Sequence, residues 1–446
     1  MVFNDFYFIF LFFPVFYVLY LLLRRTYAKW LIVIGSVVFY TIGVWGHPFQ
    51  LGLLLAVTAV GTVGCMLFQQ PRFCRKWLLA VFIVIVTAPL GYVKLAGLVL
   101  PTSPSLPLGL SFYTFQMIAF LVYAWREGQV DPLSVAAGVL FFPKLLSGPI
   151  AEPRPLLRDM WKPKLDKKLI DASLQEFIIG LAYKVILADH LGGVLGKIRM
   201  RTVQGVSVQL AWLGVICYGL QLYFDFCGYS RMAMGIAGML GIRLPENFRH
   251  PYCSTSIREF WRRWHITLGT WFRNHVYIPL GGSRNGAARM VLATLVVWLL
   301  TGIWHGAGWN FVFWGLTMFV LLMGEYFIWG KWLEKVPVIG HIYVPFIIML
   351  SWIFFITTGP AEAGHYFVRL FGVTNMPFDA GDWKIVLSQC WMYLVPAVIF
   401  ATPLPQMLFK IVSKKTVGWV ILAAVFVASI FFMSTAASEP FLYFSF

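Results

Sequence analysis

MVLATLVVWLLTGIWHGAGWNFVFWGLTMFVLLMG, residues 290–324, runs for 35 residues without one formal charge. A helix needs about 20 apolar residues to cross the hydrocarbon core of a bilayer, so the run is long enough for two. Gly302, Gly306 and Gly308 fall in its middle and read as the place where two membrane segments meet. His305 lies among them, with Trp304 and Asn310 as supporting neighbours. An ionisable group at membrane depth is costly and usually faces an interior cavity. Its pKa near neutrality suits His305 to general-base work. The alternative is a neutral core histidine bonded to Asn310 or to a backbone carbonyl.

Outward from this run the pattern recurs. Uncharged stretches occupy 6–23, 30–68, 77–93, 95–125, 202–224, 336–361, 385–409 and 416–438. Several exceed one span and break at turn residues, 46–48 in one and 101–109 in another. Eleven to thirteen membrane helices are expected, some short or re-entrant. The whole chain of 446 residues is 60% hydrophobic and only 12% charged, about half the charged fraction of soluble domains. That excludes a water-soluble enzyme and a disordered chain. The six cysteines form no C-x-x-C pair and no Cys/His cluster, so neither a metal site nor a disulfide framework is expected.

The net charge of +17 fits cytoplasmic loops facing anionic lipid and calls for no nucleic acid. Asp5 precedes the first apolar run, while Arg24, Arg25 and Lys29 follow it, which is not the order of a cleavable signal peptide. The positive-inside rule puts that cluster in the cytoplasm and the N-terminus outside. Connections then alternate: 46–48 outside, Arg72, Arg75 and Lys76 inside, 101–109 outside, Arg126 inside. Lys410, Lys414 and Lys415 precede the last span, which puts the C-terminus outside as well. One integral-membrane domain over 1–446 is expected, with basic cytoplasmic or interfacial segments at 151–171 and 231–289.

The second segment holds IREFWRRWHITL (257–268) and WFRNHVYIPLGGSR (271–284). On one helix, Ile257, Phe260, Trp261, Trp264, Leu268 and Trp271 share an apolar face, and Arg258, Arg262 and His265 share another. A basic amphipathic helix at the interface follows, whose arginines meet either a phosphorylated cosubstrate or lipid headgroups. Asp225 ends the 202–224 stretch. It is either a catalytic or proton-relay group, or a partner for an arginine such as Arg231. The last eight residues, 439–446, carry Phe441, Tyr443, Phe444 and Phe446, which read as an interfacial anchor or as a tail able to reach back into a pore.

The strings FWRRWHITLGTWFRNHVYIPLGG (260–282) and LLTGIWHGAGWNFVFWG (299–315) resemble the membrane-bound O-acyltransferase family. The closer likeness is to its bacterial polysaccharide O-acetyltransferase branch, with supporting matches at 108–126, 141–150 and 223–252. The resemblance implies an all-α ring of tilted helices around a central tunnel. It places His305 on the family's catalytic histidine and His265 on its second motif histidine. Arg258, Arg262 and Trp264 then line the cytoplasmic entry for acetyl-CoA, the cosubstrate, with no metal. Tyr443 would carry the acetyl group to an extracytoplasmic partner, an esterase-like SGNH acetyltransferase, and so to a polysaccharide acceptor. The resemblance implies a bacterial cytoplasmic membrane. One departure is plain: Asn274-His275 stands where many relatives have Asp-Tyr. The rivals are D-alanyl transfer to teichoic acid and, in another class, a proton-coupled transporter or flippase using Asp225, Arg231 and His305.

Overall fold

A computed structural model describes residues 1–100, 105–201, 205–373, 380–413, 415–435 and 441–442. Among these residues there is helix and connecting chain but no strand. Ten helices among the described residues are long and apolar enough to cross a membrane. This is an all-α, multi-pass membrane protein, as expected, since only helices satisfy their own backbone within lipid without closing a barrel.

The difference from eleven to thirteen spans has physical reasons. Phe8–Gly43 is continuous over 36 residues, about 54 Å at helical rise, too long for one upright span. It kinks at Tyr27 (φ −119°, ψ 16°), beside the basic cluster, so its two arms are the two expected stretches. Leu110–Glu127 is instead a protein-facing helix, buried along most of its length. Conversely, Lys167–Ile198 can span although no uncharged stretch marks it.

The chain forms two compact units. The first comprises Met1–Leu181 and Tyr229–Glu246; the second comprises Ala182–Gly228 and Asn247–Leu442. In the first, Lys29 pairs with Asp131 at 3.0 Å, and Gln69 donates to the carbonyl of Val130 at 2.6 Å. The connections near residues 29, 69 and 131 therefore share one end. At another point of the unit, Tyr40 donates to the carbonyl of Leu108, and Gln50 accepts from the Leu108 amide. That joins the uncharged connections near 44–50 and 105–109. Arg231 pairs with Glu176 at 2.8 Å, not with Asp225.

In the second unit, Ala287–His305 and Trp309–Gly324 form a hairpin. Gly302 does not interrupt the helix, as the sequence suggested; it lies inside it. A Cβ at Gly302 would stand 2.4 Å from the Phe311 carbonyl, and one at Gly315 would stand 2.4 Å from that of Trp298. Bare backbones in contact bring the two helices together, the small-residue packing common in membranes. The break falls at 306–308, immediately after His305.

Gly315→Ala should therefore destabilise by about 1–3 kcal/mol through overpacking. Gly91→Ala, whose Cβ meets nothing within 4 Å inside the Lys76–Val99 helix, should leave stability unchanged or raise it by up to about 1 kcal/mol. Thermal unfolding of the two variants in the same detergent measures the contrast; equal melting would contradict the packing described.

Candidate active site

Residues 257–272 do not form the single amphipathic helix expected. Two short helices, Ile257–Arg263 and Ile266–Phe272, meet at His265, which adopts a left-handed conformation (φ 44°, ψ 52°). A non-glycine residue there is strained and held by its surroundings. Asn247 supplies much of that hold. Its carbonyl accepts from the Ile266 amide at 3.0 Å, and its side-chain oxygen accepts from the Thr267 hydroxyl at 2.7 Å. The Arg249 amide donates to the Arg263 carbonyl at 2.9 Å. The break turns His265 inward while Arg258 and Arg262 stay exposed on the first short helix.

That helix starts where sequence chemistry says it should. Ser256 caps it, its hydroxyl accepting from the Glu259 amide at 3.0 Å. The Glu259 carboxylate accepts from the Thr255 amide at 2.8 Å. Buried Glu325 accepts from the amides of Ile257 and Arg258 at 2.6 and 3.1 Å. A carboxylate on the first amides of a helix is favoured by charge as well as by hydrogen bonding. Glu325 itself opens a wide, π-type turn, Glu325–Trp329, a geometry often found near functional sites.

His265 and His305 line one cavity of about 440 Å³, within the range of small-molecule sites. Arg258, Arg262, Arg273 and Trp264 line the same cavity. The three arginines are exposed, whereas both histidines and Trp264 are buried. The cavity thus runs from a cationic mouth to an apolar base. Burial, and next the neighbouring His305, push the His265 imidazole well below its ordinary pKa, so it is neutral at pH 7. Phe226 meets its ring edge-on at 4.6 Å. His305 stands at the end of its helix with Trp304, Trp314 and Phe355 edge-on to it at 4.9, 5.1 and 5.3 Å. Such packing fixes an imidazole in one orientation. Chemically, the arrangement offers bidentate donors to phosphate at one end and two nitrogen bases in a water-poor site at the other.

The remaining expected residues fall elsewhere. The Asn310 amide donates to the carbonyls of Phe354 and Thr357 at 2.7 and 3.0 Å, so it anchors its helix start rather than bonding His305. Asp225 pairs with Lys184 at 2.8 Å, a lysine that sequence reading did not consider. Tyr443 lies outside the described residues. Arg273, Tyr277 and Ser283 line the cavity but were not singled out. Glu325 was missed too, although it is the first charge after the 290–324 run. Among the described residues, no group of three or more His, Cys, Asp or Glu side chains could hold a metal ion.

The sequence pattern of MBOAT, the membrane-bound O-acyltransferase family, matches residues 16–368. The chain belongs to that family. A protein of Pseudomonas putida named "Probable alginate O-acetylase AlgI" is 31% identical over the full length of both chains. A peptidoglycan O-acetyltransferase of Helicobacter pylori is 34% identical over 71% of this chain and 68% of its own. A teichoic acid D-alanyltransferase of Streptococcus thermophilus is 29% identical over 70% of this chain and 80% of its own. The chain is therefore an acyltransferase, and the transporter reading falls away.

Glu325→Ala would leave two helix-start amides without their acceptor and should destabilise by about 1–3 kcal/mol. Glu325→Gln keeps one acceptor oxygen and should lose less. Unfolding midpoints of the purified proteins rank the three; an unchanged midpoint for Glu325→Ala would show that the amides find other partners.

Proposed function

We propose that this acyltransferase O-acetylates a cell-surface polysaccharide such as alginate or peptidoglycan, taking acetyl from cytoplasmic acetyl-CoA. The observation that carries the reading is the cavity that joins exposed Arg258 and Arg262 to buried His265 and His305. Acetyl-CoA has the same polarity: a phosphorylated nucleotide at one end, a thioester at the other. In this reading the arginines hold the phosphates, Trp264 packs along the entering arm, and the thioester reaches the histidines. The two relatives named for O-acetylation support acetyl over D-alanyl, being more similar than the D-alanyltransferase.

The reaction proposed is acyl transfer to Tyr443. His305 accepts the phenol proton as the phenol oxygen attacks the thioester carbonyl. The C–S bond breaks, an aryl acetate forms, and the proton passes to the thiolate, which leaves as free CoA. A phenol has a pKa of about 10, well below an alkyl alcohol, so its ester keeps a good leaving group. The acetyl-tyrosine then serves as donor to an extracytoplasmic, esterase-like SGNH partner, which acetylates the polysaccharide hydroxyl. The protein sits in the bacterial cytoplasmic membrane with both termini outside, so cosubstrate and acceptor stay on opposite sides.

His305→Ala should lower acetylation by 10²–10⁴-fold, the usual worth of a positioned base, while the protein still inserts in the membrane. Arg262→Ala should raise KM for acetyl-CoA more than it lowers kcat, and should matter little to a short acetyl thioester lacking the nucleotide. Near-normal turnover without the His305 imidazole, or equal loss with both donors, would sink the respective assignment.

Tyr443→Phe separates a carrier from an anchor, because it keeps the ring and removes only the oxygen that bears the acetyl group. Loss of polysaccharide acetylation is expected, with an acetyl group found on the parent's C-terminal peptide by mass spectrometry. An active Tyr443→Phe protein would rule the carrier out.

A further inference from the structure

Lys184 and Asp225 have no part in the chemistry proposed for His305, yet they form a buried charged centre that is not closed on itself. The Lys184 ammonium lies 2.6 Å from Asp189 and 2.8 Å from Asp225. Both Lys184 and Asp225 are buried. A wide π-type turn over Tyr183–Ala188 carries Lys184. Two carboxylates share one ammonium, so acceptor capacity is left over, and buried carboxylate oxygens need donors.

The C-terminal segment supplies one. Oδ1 of Asp225 takes the lysine, and Oδ2 accepts from the backbone amide of Leu442 at 3.0 Å. One residue earlier, the Phe441 ring lies 4.7 Å from the Lys184 ammonium. Phe441 is itself buried. Both members of the ion pair therefore hold consecutive residues of the tail, one through a main-chain hydrogen bond and one through a cation–π contact. Those contacts ask for an aromatic ring followed by any residue with an amide hydrogen. The wall met by Phe441 thus includes a charge and is not a purely apolar funnel.

We propose that the Lys184–Asp225 pair is the receptor for the chain's own C-terminal segment, with Lys184 and Asp225 as positioning residues that fix where the chain after Leu442 begins. The use of the dock rests on the reading of Tyr443 as carrier; the dock itself rests on the contacts of Phe441 and Leu442. Holding the residues just before a carrier limits the space that it samples, and proximity of this kind raises the rate of group transfer.

The test uses the full-length protein in detergent. Leu442→Cys keeps the backbone donor and reports on release: its labelling by a maleimide is followed by mass spectrometry of the C-terminal peptide, so native cysteines do not interfere. Labelling should be slow, at least tenfold faster with Lys184→Met, and at least tenfold faster with Phe441→Ala, which alters the tail and spares the helices. Phe441→Trp should restore slow labelling. In protein with native Leu442, Phe441→Ala should lower acetylation of Tyr443 at least tenfold, and Phe441→Trp should recover it. Equal labelling in all backgrounds overturns the dock. Faster labelling with undiminished acetylation overturns the positioning role. No acetyl on Tyr443 even in the parent defeats the carrier reading instead, and the labelling rates still decide the dock.

Discussion

The left-handed turn at His265 is the constraint on which the cavity depends. A continuous helix through 257–272 would keep His265 on the same exposed stripe as Arg258 and Arg262. The break lets one short segment serve two environments: arginines face the open mouth and the imidazole enters the protein. Breaking the helix at His265 frees amides that then need acceptors outside the helix. Asn247 answers this by taking the first free amide of the second helix on its carbonyl and the Thr267 hydroxyl on its side chain. Glu325 does the corresponding work at the start of the first helix. The strained histidine is thus braced from both sides by groups distant in sequence.

His305 is placed by a different device. Its helix and the next pack backbone to backbone through Gly302 and Gly315, which fixes the hairpin tightly. Bulky aromatic rings then fill the space around the imidazole. Small residues set the distance between helices, and large ones set the orientation of the side chain.

The sequence shows the helices that hold a long uncharged stretch, whether they face lipid or, like Val208–Met239, lie mostly inside the protein. It hides a span whose charges are paired within the protein. Lys167–Ile198 is crossed by Lys184 and Asp189, which look forbidding one at a time and acceptable as a pair. The same blindness paired Asp225 with Arg231, the nearest cation along the chain, when its partner is Lys184, 41 residues earlier. His265, Arg258 and Arg262 were legible as residues of interest from their spacing. The break between them was not, since the amides freed at His265 are taken up by Asn247, a residue that helical periodicity does not connect to it.

The order of polarity along the cavity bears on which step the protein must control. Exposed arginines gain little by pairing with an anion in water, because both partners are well solvated and screened. In the proposed reading their value at the mouth lies in orientation: a planar guanidinium fixes a phosphate in two dimensions. In the proposed reading, the thioester end of the cosubstrate carries no charge and enters the aromatic base without a large desolvation penalty. In the proposed reaction, charge appears there only as the phenol oxygen attacks and the thiolate departs. A water-poor site with fixed bases suits that step, since it needs no solvent reorganisation and keeps water from hydrolysing the acetyl group. In that reading the division between a charged mouth and an apolar base separates recognition from chemistry, and the turn at His265 is the point in the chain where one passes into the other.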